Sequence, residues 1–130
     1  EVTAMEGDED LLHRVVSNLL LNAVQAAGAG ARVTVRTGRS TSQELPGGAG
    51  IDNPVSLRVT DNGPGIPETV RVRLFEPFVT GRAGGTGLGL AIVQRAVEAH
   101  RGLVLVDTTE GRGTTFTVHF PAARRKEEAA

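Results

Sequence analysis

Strands that can bury only one face are the sequence feature that most constrains the fold of this chain. In segments 32–37 (RVTVRT) and 55–60 (VSLRVT), apolar residues alternate with arginine, threonine or serine, so one side of each strand can face a core. Segments 103–107 and 114–120 are also predicted strands. A doubly wound sheet buries both faces of its strands. The pattern therefore favours an α+β, two-layer α/β sandwich: one mixed, mainly antiparallel sheet covered on one face by about three helices.

The spacing of apolar residues predicts those helices. The first covers residues 9–27, where Asp8 can cap its start and Gly28 its end. A short helix is expected over 67–74, and a longer one over 87–100. The loop 38–54 is rich in Gly, Ser and Pro and lacks periodicity, so we predict that it is flexible.

Composition limits the chain to one small domain. Its 130 residues include 39% hydrophobic residues and carry a formal net charge of -1, which gives no sign of a nucleic-acid or membrane partner. The chain has no cysteine, which excludes disulfides and thiolate zinc sites and fits a reducing compartment. We expect one monomeric domain over 1–121, cut from a longer protein, and a solvated tail at 122–130.

A glycine-rich stretch stands directly before the last predicted helix. In AGGTGLGLAIVQRAVEAH (83–100), glycines precede an apolar helical pattern that they would weaken. A P-loop would need a lysine here, and the one lysine of the chain is Lys126 in the tail. A dinucleotide fingerprint would need glycine at Leu90 and a strand before it. Free N–H groups at a helix start still suit an anion, so the stretch predicts phosphate binding of another class.

The first helix presents a polar face beside its apolar stripe. Its members are Arg14, Asn18, Asn22 and Gln25. Two amides one turn apart can each offer an oxygen to a hard cation such as Mg²⁺. The alternative is a face turned to water, as on most surface helices.

The turn VTDNGPGIP (59–67) is the third polar feature. Asp61 ends an apolar strand, and Gly63 and Gly65 leave the backbone beside it unobstructed. An ionised carboxylate only accepts hydrogen bonds, so it could recognise the exocyclic amine of adenine. The alternative is an ordinary Asx turn, since DNG and PG are common turn signals.

Taken together and in order, these segments resemble one known domain. NLLLNAVQAA, DNGPGIP, LFEPFVT, GGTGLGLAIV and GRGTTFTVHFP are similar to the motifs of the ATP-binding catalytic domain of sensor histidine kinases. That domain belongs to the superfamily shared with gyrase B, heat-shock-protein-ninety and mismatch-repair ATPases. The resemblance covers residues 8–121, looks most like the nitrogen-regulation type, and implies a Bergerat-type ATP-binding fold.

The resemblance implies a role for each matching position. Asn22 would bind Mg²⁺, with Asn18 beside the metal and Arg82 near the terminal phosphate, and these three would form the catalytic set. Asp61 would read adenine, supported through water by Thr114. The other implied nucleotide contacts are glycines beside the base, aromatic anchors of a mobile lid, the lid itself and the helix start that receives the phosphates: Gly63, Gly65, Ile66, Phe75, Phe78, Thr80, Gly85, Gly87, Leu88 and Gly89.

Two positions depart from the family pattern. Gln25 stands where many of these kinases have a basic residue, so one phosphate contact would be missing or supplied by Arg82. Arg101 replaces a glycine in the His-Gly-Gly that commonly ends the last helix. Neither change removes the nucleotide site implied by the resemblance.

The implied activity is that of a protein-histidine kinase that uses ATP and Mg²⁺ in two-component signalling. The phosphoacceptor would lie on a separate dimerisation domain of the full-length protein, with a response regulator as an indirect partner, and the domain would be cytoplasmic. None of the three histidines lies in a phosphoacceptor context. His13 is expected on a helix, His100 near a helix end and His119 on the polar face of a strand. Two alternatives stay open: an ATP-hydrolysing conformational machine of the same superfamily, and a nonenzymatic module that binds a partner when loaded with nucleotide.

Overall fold

The computed structural model describes residues 7–41, 45–46, 50–51, 54–76 and 88–121. The elements in these ranges are α1 (Glu9–Ala27), β1 (Val33–Arg39), β2 (Pro54–Asp61), α2 (Glu68–Arg71), α3 (Gly89–Ala99), β3 (Leu103–Thr109) and β4 (Gly113–Pro121). Residues 42–44, 47–49 and 52–53 of the loop 38–54 and the whole tail 122–130 lie outside the described residues. The flexibility of that loop and the domain bounds therefore stay predictions.

Helix α1 begins and ends where its sequence predicts. The Asp8 side chain accepts a hydrogen bond from the Leu11 N–H at 3.1 Å, which satisfies one of the donors left free in the first turn. At the other end Gly28 has a φ of 66°, and its N–H donates to the Val24 carbonyl at 3.0 Å. One stripe of α1 is buried, at Val15, Leu19 and Ala23.

The four described strands form one sheet in the order β1-β2-β4-β3, and each pairing is antiparallel. The register places Val59 of β2 between Val35 of β1 and Phe116 of β4. All four strands lie where they were predicted: β1 starts one residue later and ends two residues later, and each of the other three is two residues longer. Residues 38, 39 and 54 of the predicted loop therefore belong to strands. The predicted two-layer fold is confirmed, with its described sheet wholly antiparallel.

Helices α1 and α3 pack on one face of this sheet and close the core. The largest side chains enclosed there include Phe116, Leu19, Val59 and Val93, each at most 1% exposed. Burying a side chain of this size stabilises the fold by about 1.5–3 kcal/mol. The opposite face of β2 and β4 is polar, as the alternation predicts.

Side chains on that polar face make contacts with one another. Arg36 and Arg58 are direct cross-strand partners there, and the Arg58 Nε donates to the Thr117 hydroxyl at 3.3 Å. His119 also lies on this face, as expected, but it is fully buried, with its Nδ1 2.6 Å from the Ser40 hydroxyl oxygen.

The two later helices are shorter than predicted. Helix α2 has four residues, after which turns lead to the buried Leu74. The Arg71 guanidinium hydrogen-bonds Glu68 and, with its charge, lowers the pKa of that exposed carboxylate. Helix α3 begins at Gly89, and Gly87 lies outside the described residues. None of the described helices combines the length and the apolar character that a membrane span requires.

The end of α3 has the backbone conformation that favours a glycine at the position of Arg101. Arg101 has a φ of 58°, the left-handed conformation that favours glycine. The following Gly102 N–H donates to the Val97 carbonyl at 2.9 Å, closing the helix in a Schellman-type arrangement. The arginine therefore adopts the backbone conformation in which a glycine would be unstrained.

Candidate functional site

Asp61 lies at the last residue of β2, on the face of the sheet that the helices cover. It is 4% exposed, and its Oδ1 accepts a hydrogen bond from the Gly63 N–H at 2.8 Å. Thr114 of β4 is its cross-strand partner and is 5% exposed. The Asx turn is thus present, but it uses only one carboxylate oxygen. The other oxygen, Oδ2, can accept a donor from a bound group.

The glycines that follow Asp61 are required by close backbone contacts. A Cβ at Gly63 would lie 2.8 Å from the Ala26 carbonyl oxygen of α1. Gly65 has a φ of 79°, and a Cβ there would collide with the carbonyl of Thr109. The turn 61–66 is therefore held between the end of α1 and the β3–β4 hairpin.

Thr108, which sequence reasoning did not single out, ties that turn to the sheet. Its hydroxyl oxygen accepts from the Ile66 N–H at 2.9 Å and lies 2.9 Å from the Thr114 hydroxyl oxygen. The main chain of Ile66 is thereby fixed to the β3–β4 hairpin. The signal available in the sequence is the pair of threonines on each side of EGRG (110–113), from which the hairpin register pairs Thr108 with Thr114.

Asn62 is a second residue that sequence reasoning missed. Its Oδ1 accepts from the Arg32 N–H at 2.8 Å, and its Nδ2 donates to the Gly30 carbonyl at 3.3 Å. These bonds attach the α1–β1 connection to the residue after Asp61. Asn62 therefore positions the end of β2 rather than facing the site itself.

The amide face of α1 divides into two parts. Arg14 and Gln25 are exposed, whereas Asn18 and Asn22 are half-buried, so the solvated alternative fits only the outer pair. The Asn18 Nδ2 donates to the Arg14 carbonyl at 2.7 Å, and Asn18 Oδ1 lies on the side of α3. A Cβ at Gly89 would be 3.0 Å from that oxygen. The first residue of α3 thus lies against Asn18.

Helix α1 connects these two groups of residues. Asn18, Asn22 and Ala26 follow one another at intervals of four residues, which places them on one face with about 6 Å between successive positions. Gly89 lies against the first of them and Gly63 against the last. Asn18, Asn22 and Gly89 form what we call the Asn18 end of the site. The Asp61 end consists of Asp61, Gly63, Gly65, Ile66, Thr108 and Thr114.

The side chains at the Asn18 end offer amide oxygens as possible metal ligands. Within the described ranges, no group of three or more His, Cys, Asp or Glu side chains could hold a metal ion. The amide oxygens of Asn18 and Asn22 are the donors of the type predicted for Mg²⁺. The start of α3 brings main-chain N–H groups and the positive end of the helix dipole to the same place.

Phe75 has a structural role. Its ring is half-buried and meets Phe116 edge to face, with centroids 6.4 Å apart and planes at 80°. Leu88, directly before α3, is 39% exposed. The other predicted contacts lie outside the described residues: Phe78, Thr80, Arg82, Gly85 and Gly87.

Sequence comparison defines the family. The profile of histidine kinase-, DNA gyrase B-, and HSP90-like ATPases matches residues 7–124, and the chain belongs to this family. It is 41% identical over 122 residues to the sensory histidine kinase/phosphatase NtrB of Rhodobacter capsulatus. It is 36% identical over 121 residues to the signal transduction histidine-protein kinase AtoS of Escherichia coli. The alignments cover 92% and 93% of this chain but 34% and 18% of those proteins.

Solved structures agree with this membership. The chain superposes on a mycobacterial sensor histidine kinase, MprB, with a TM-score of 0.76 at 34% identity, covering 93% of this chain and 76% of that one. Full-length ShkA in complex with AMPPNP gives a TM-score of 0.71 at 35% identity, over 95% of this chain and 24% of that one. The family and fold expected from the sequence are confirmed, and NtrB is a relative of the expected nitrogen-regulation type. The roles of individual site residues stay predictions.

Proposed function

We propose that this chain binds Mg-ATP and donates the γ-phosphoryl group to a histidine on a separate dimerisation domain of a two-component sensor kinase. ATP use follows from the family, and the multidomain kinases among the relatives support a partner domain in the same full-length protein. The observation that carries the proposal is the pairing of a buried carboxylate at one end of the site with amide oxygens at the other. A response regulator is the indirect partner, and the cytoplasm is the proposed location.

Asp61 is the proposed adenine-binding group. Its Oδ1 is held by the Gly63 N–H, which leaves Oδ2 to accept from the exocyclic amine of the base. Thr114 stands directly opposite and can share a water with the base. Gly63 and Gly65 let the turn after Asp61 lie directly against the Ala26 and Thr109 carbonyls, which holds Asp61 in place.

Asn18 and Asn22 are the proposed metal-side residues. Their amide oxygens would hold Mg²⁺, which supplies charge neutralisation on the phosphates when bound. The N–H groups at the start of α3 would donate hydrogen bonds to phosphate oxygens. Because Gly89 has no side chain, the start of α3 can lie close to Asn18. The proposed lid residues, Thr80, Arg82, Gly85 and Gly87, would complete the phosphate side.

The environment of the described histidines supports an acceptor outside this domain. His119 is fully buried, and both ring nitrogens of His100 lie within hydrogen-bonding distance of main-chain atoms. His13 is exposed on α1 but lacks the sequence context of a phosphoacceptor. The nucleophile in the proposed reaction therefore comes from the dimerisation domain.

The residue at position 18 separates a kinase from an ATP-hydrolysing machine. In the ATP-hydrolysing members of the superfamily that this chain resembles, a glutamate lies one turn before the metal-binding asparagine. This chain has Asn18 at that position. A neutral amide cannot act as a general base near neutral pH, and loss of such a base costs about 10²–10⁴-fold in rate. The kinase is the better-supported function for this reason.

Phosphoryl transfer to an added dimerisation domain tests this choice. We expect the chain alone to hydrolyse ATP very slowly and not to label itself. With the domain present, a phosphohistidine that is acid-labile and base-stable should form, Asn22→Ala should abolish it, and Ser17→Ala, an exposed position on α1, should not. Rapid steady ATP turnover by the chain alone, lost in Asn22→Ala, would overturn the kinase proposal in favour of a hydrolase.

Base selectivity tests the role of Asp61. Asp61→Asn keeps an oxygen for the Gly63 N–H but turns the second acceptor into a donor, which opposes the amine of adenine. We expect the preference for ATP over GTP to fall about tenfold or more, as one buried hydrogen bond is replaced by a donor facing a donor. Calorimetric titration of both nucleotides measures this, with Asp107→Asn, at an exposed position on β3, as the matched control. An unchanged preference in the Asp61 variant contradicts the assignment.

A further inference from the structure

His100 joins the end of α3 to the residue that starts α1. Its Nε2 accepts a hydrogen bond from the Asp8 N–H at 2.9 Å, and its Nδ1 lies 2.7 Å from the Ala96 carbonyl oxygen. Because Nε2 accepts, the ring proton must be on Nδ1, where it is donated to that carbonyl. Both nitrogens are therefore used, and the ring is fixed in one neutral tautomer.

The surroundings of the ring leave it little freedom. The ring meets Phe120 of β4 edge to face, with centroids 6.0 Å apart. A Cβ at Gly7 would lie 2.6 Å from the His100 Cδ2, so the chain that enters α1 passes directly over the imidazole. The contact between Asp8 and the ring is made by the main-chain N–H, while the Asp8 carboxylate accepts from the Leu11 N–H.

Asp8 transmits this contact into α1. Its side chain caps the helix at Leu11, and its carbonyl accepts the Leu12 N–H at 2.9 Å. The N–H, carbonyl and side chain of Asp8 are thus all engaged, and the N–H is the group held by His100. A shift of His100 relative to Asp8 therefore shifts the first turn of α1.

Helices α1 and α3 contact each other at two points that are separated by nearly equal lengths along each helix. Asp8 and Asn18 are ten residues apart, about 15 Å, and Gly89 and His100 are eleven residues apart, about 16.5 Å. Asp8, at the start of α1, contacts His100 at the end of α3, and Asn18, in the middle of α1, contacts Gly89 at the start of α3. The buried Val15 and Val93 belong to one core cluster with both helices, so each helix responds as a unit.

We infer that His100 is a positioning residue that sets the distance between Asn18 and Gly89 by holding Asp8 on the end of α3. The inference rests on the proposed function, because the Asn18 end is where the metal and phosphates would lie. Adenine would be bound at the Asp61 end, where α1 contributes only the Ala26 carbonyl beside Gly63 and the β3–β4 hairpin supplies the other contacts of the turn. His100 therefore governs binding of the phosphate part of the ligand and has little effect on binding of the base.

Two ligands distinguish binding of the phosphates from binding of the base in the whole 130-residue chain: Mg-AMPPNP, which has phosphates, and adenosine, which has none. We expect His100→Ala to weaken Mg-AMPPNP binding about 3- to 10-fold, the effect of losing one or two net hydrogen bonds, and to change adenosine binding less than about twofold. His100→Gln, whose amide oxygen can accept from the Asp8 N–H, should restore most of the affinity. His13→Ala, an exposed histidine on α1, is the matched control.

The outcomes distinguish the inference from the proposed function. Equal weakening of both ligands by His100→Ala, or unchanged Mg-AMPPNP binding, would contradict the positioning role alone. A wild-type chain that binds neither ligand would contradict the proposed function and, with it, this role. If His100→Ala does not fold, His100→Phe keeps a ring against Phe120 without either nitrogen and should show the same selective loss. Faster hydrogen exchange of the Asp8 amide in these variants, but not in His100→Gln, is expected as well.

Discussion

The Asp61 end and the Asn18 end of the site are built from different kinds of contact. At the Asp61 end, main chain meets main chain: Gly65 lies against the Thr109 carbonyl, and the Gly111 N–H donates to the Pro64 carbonyl at 2.6 Å. At the Asn18 end, Gly89 lies against a side-chain oxygen. The first end is therefore fixed by the course of the backbone, and the second by the relative placement of two helices.

This difference has consequences for how each end can respond to change. A backbone carbonyl in a hairpin cannot move without disturbing its strand, whereas an amide at the end of a side chain can rotate. The proposed base-binding group, Asp61, lies on the sheet, and the proposed metal-binding groups, Asn18 and Asn22, lie on a helix. A rigid base pocket beside an adjustable metal side would suit the proposed reaction, in which the phosphates, and not the base, change.

Substitution of Gly65 should break the Asp61 end and give the largest effect. Gly65→Ala adds a Cβ at a φ of 79° and directs it at the Thr109 carbonyl. A left-handed conformation costs a residue with a Cβ about 1–2 kcal/mol, and overpacking about 1–3 kcal/mol more. We expect the free energy of unfolding, measured in urea, to fall by about 2–5 kcal/mol in total.

Two other glycines separate the causes of that loss. Gly111 has a φ of 83° with nothing within 4 Å of an added Cβ, so Gly111→Ala should show the cost of conformation without the collision. Gly38 on β1 has neither problem, and Gly38→Ala should leave the protein equally stable or stabilise it by up to about 1 kcal/mol. If Gly65→Ala were no worse than Gly111→Ala, the main-chain contact at the Asp61 end would be unimportant.

The sequence predicts most of the fold because its signals are local. The bounds of α1 are set by Asp8 and Gly28, each of which acts within one helical turn. The strands are evident because alternation with period two needs no knowledge of the partner strand. The short α2 was overestimated, since the segment up to Leu74 continues as turns that a helical pattern does not distinguish.

The site is less fully predicted because several of its contacts join distant parts of the chain. Asp61, Asn18 and Asn22 stand out through their local motifs. Thr108 and Asn62 act through partners 42 and 30 residues away, a pairing fixed only by strand register and loop packing. His100 was interpreted as a residue near a helix end, and its bond to Asp8 spans 92 residues.

Substitution of Gly89 sharpens the comparison with a smaller effect. The Cβ of Gly89→Ala would lie 3.0 Å from the Asn18 Oδ1, which can move aside at little cost. Alanine also favours a helix over glycine by about 0.5–1 kcal/mol, so we expect the stability to be unchanged or slightly raised. The displaced amide should weaken Mg-AMPPNP binding about tenfold, as for a charge-assisted contact worth about 1.5 kcal/mol, and leave adenosine binding intact.

This pattern is the reverse of the one expected for Gly65→Ala, which loses stability first. Titration with Mg-AMPPNP and adenosine measures the ligand affinity of each variant, and urea unfolding measures its stability. Gly38→Ala is the common reference. A large loss of stability in Gly89→Ala would mean that Asn18 cannot give way. The Asn18 end would then be as rigid as the Asp61 end, and the adjustable metal side proposed above would be wrong.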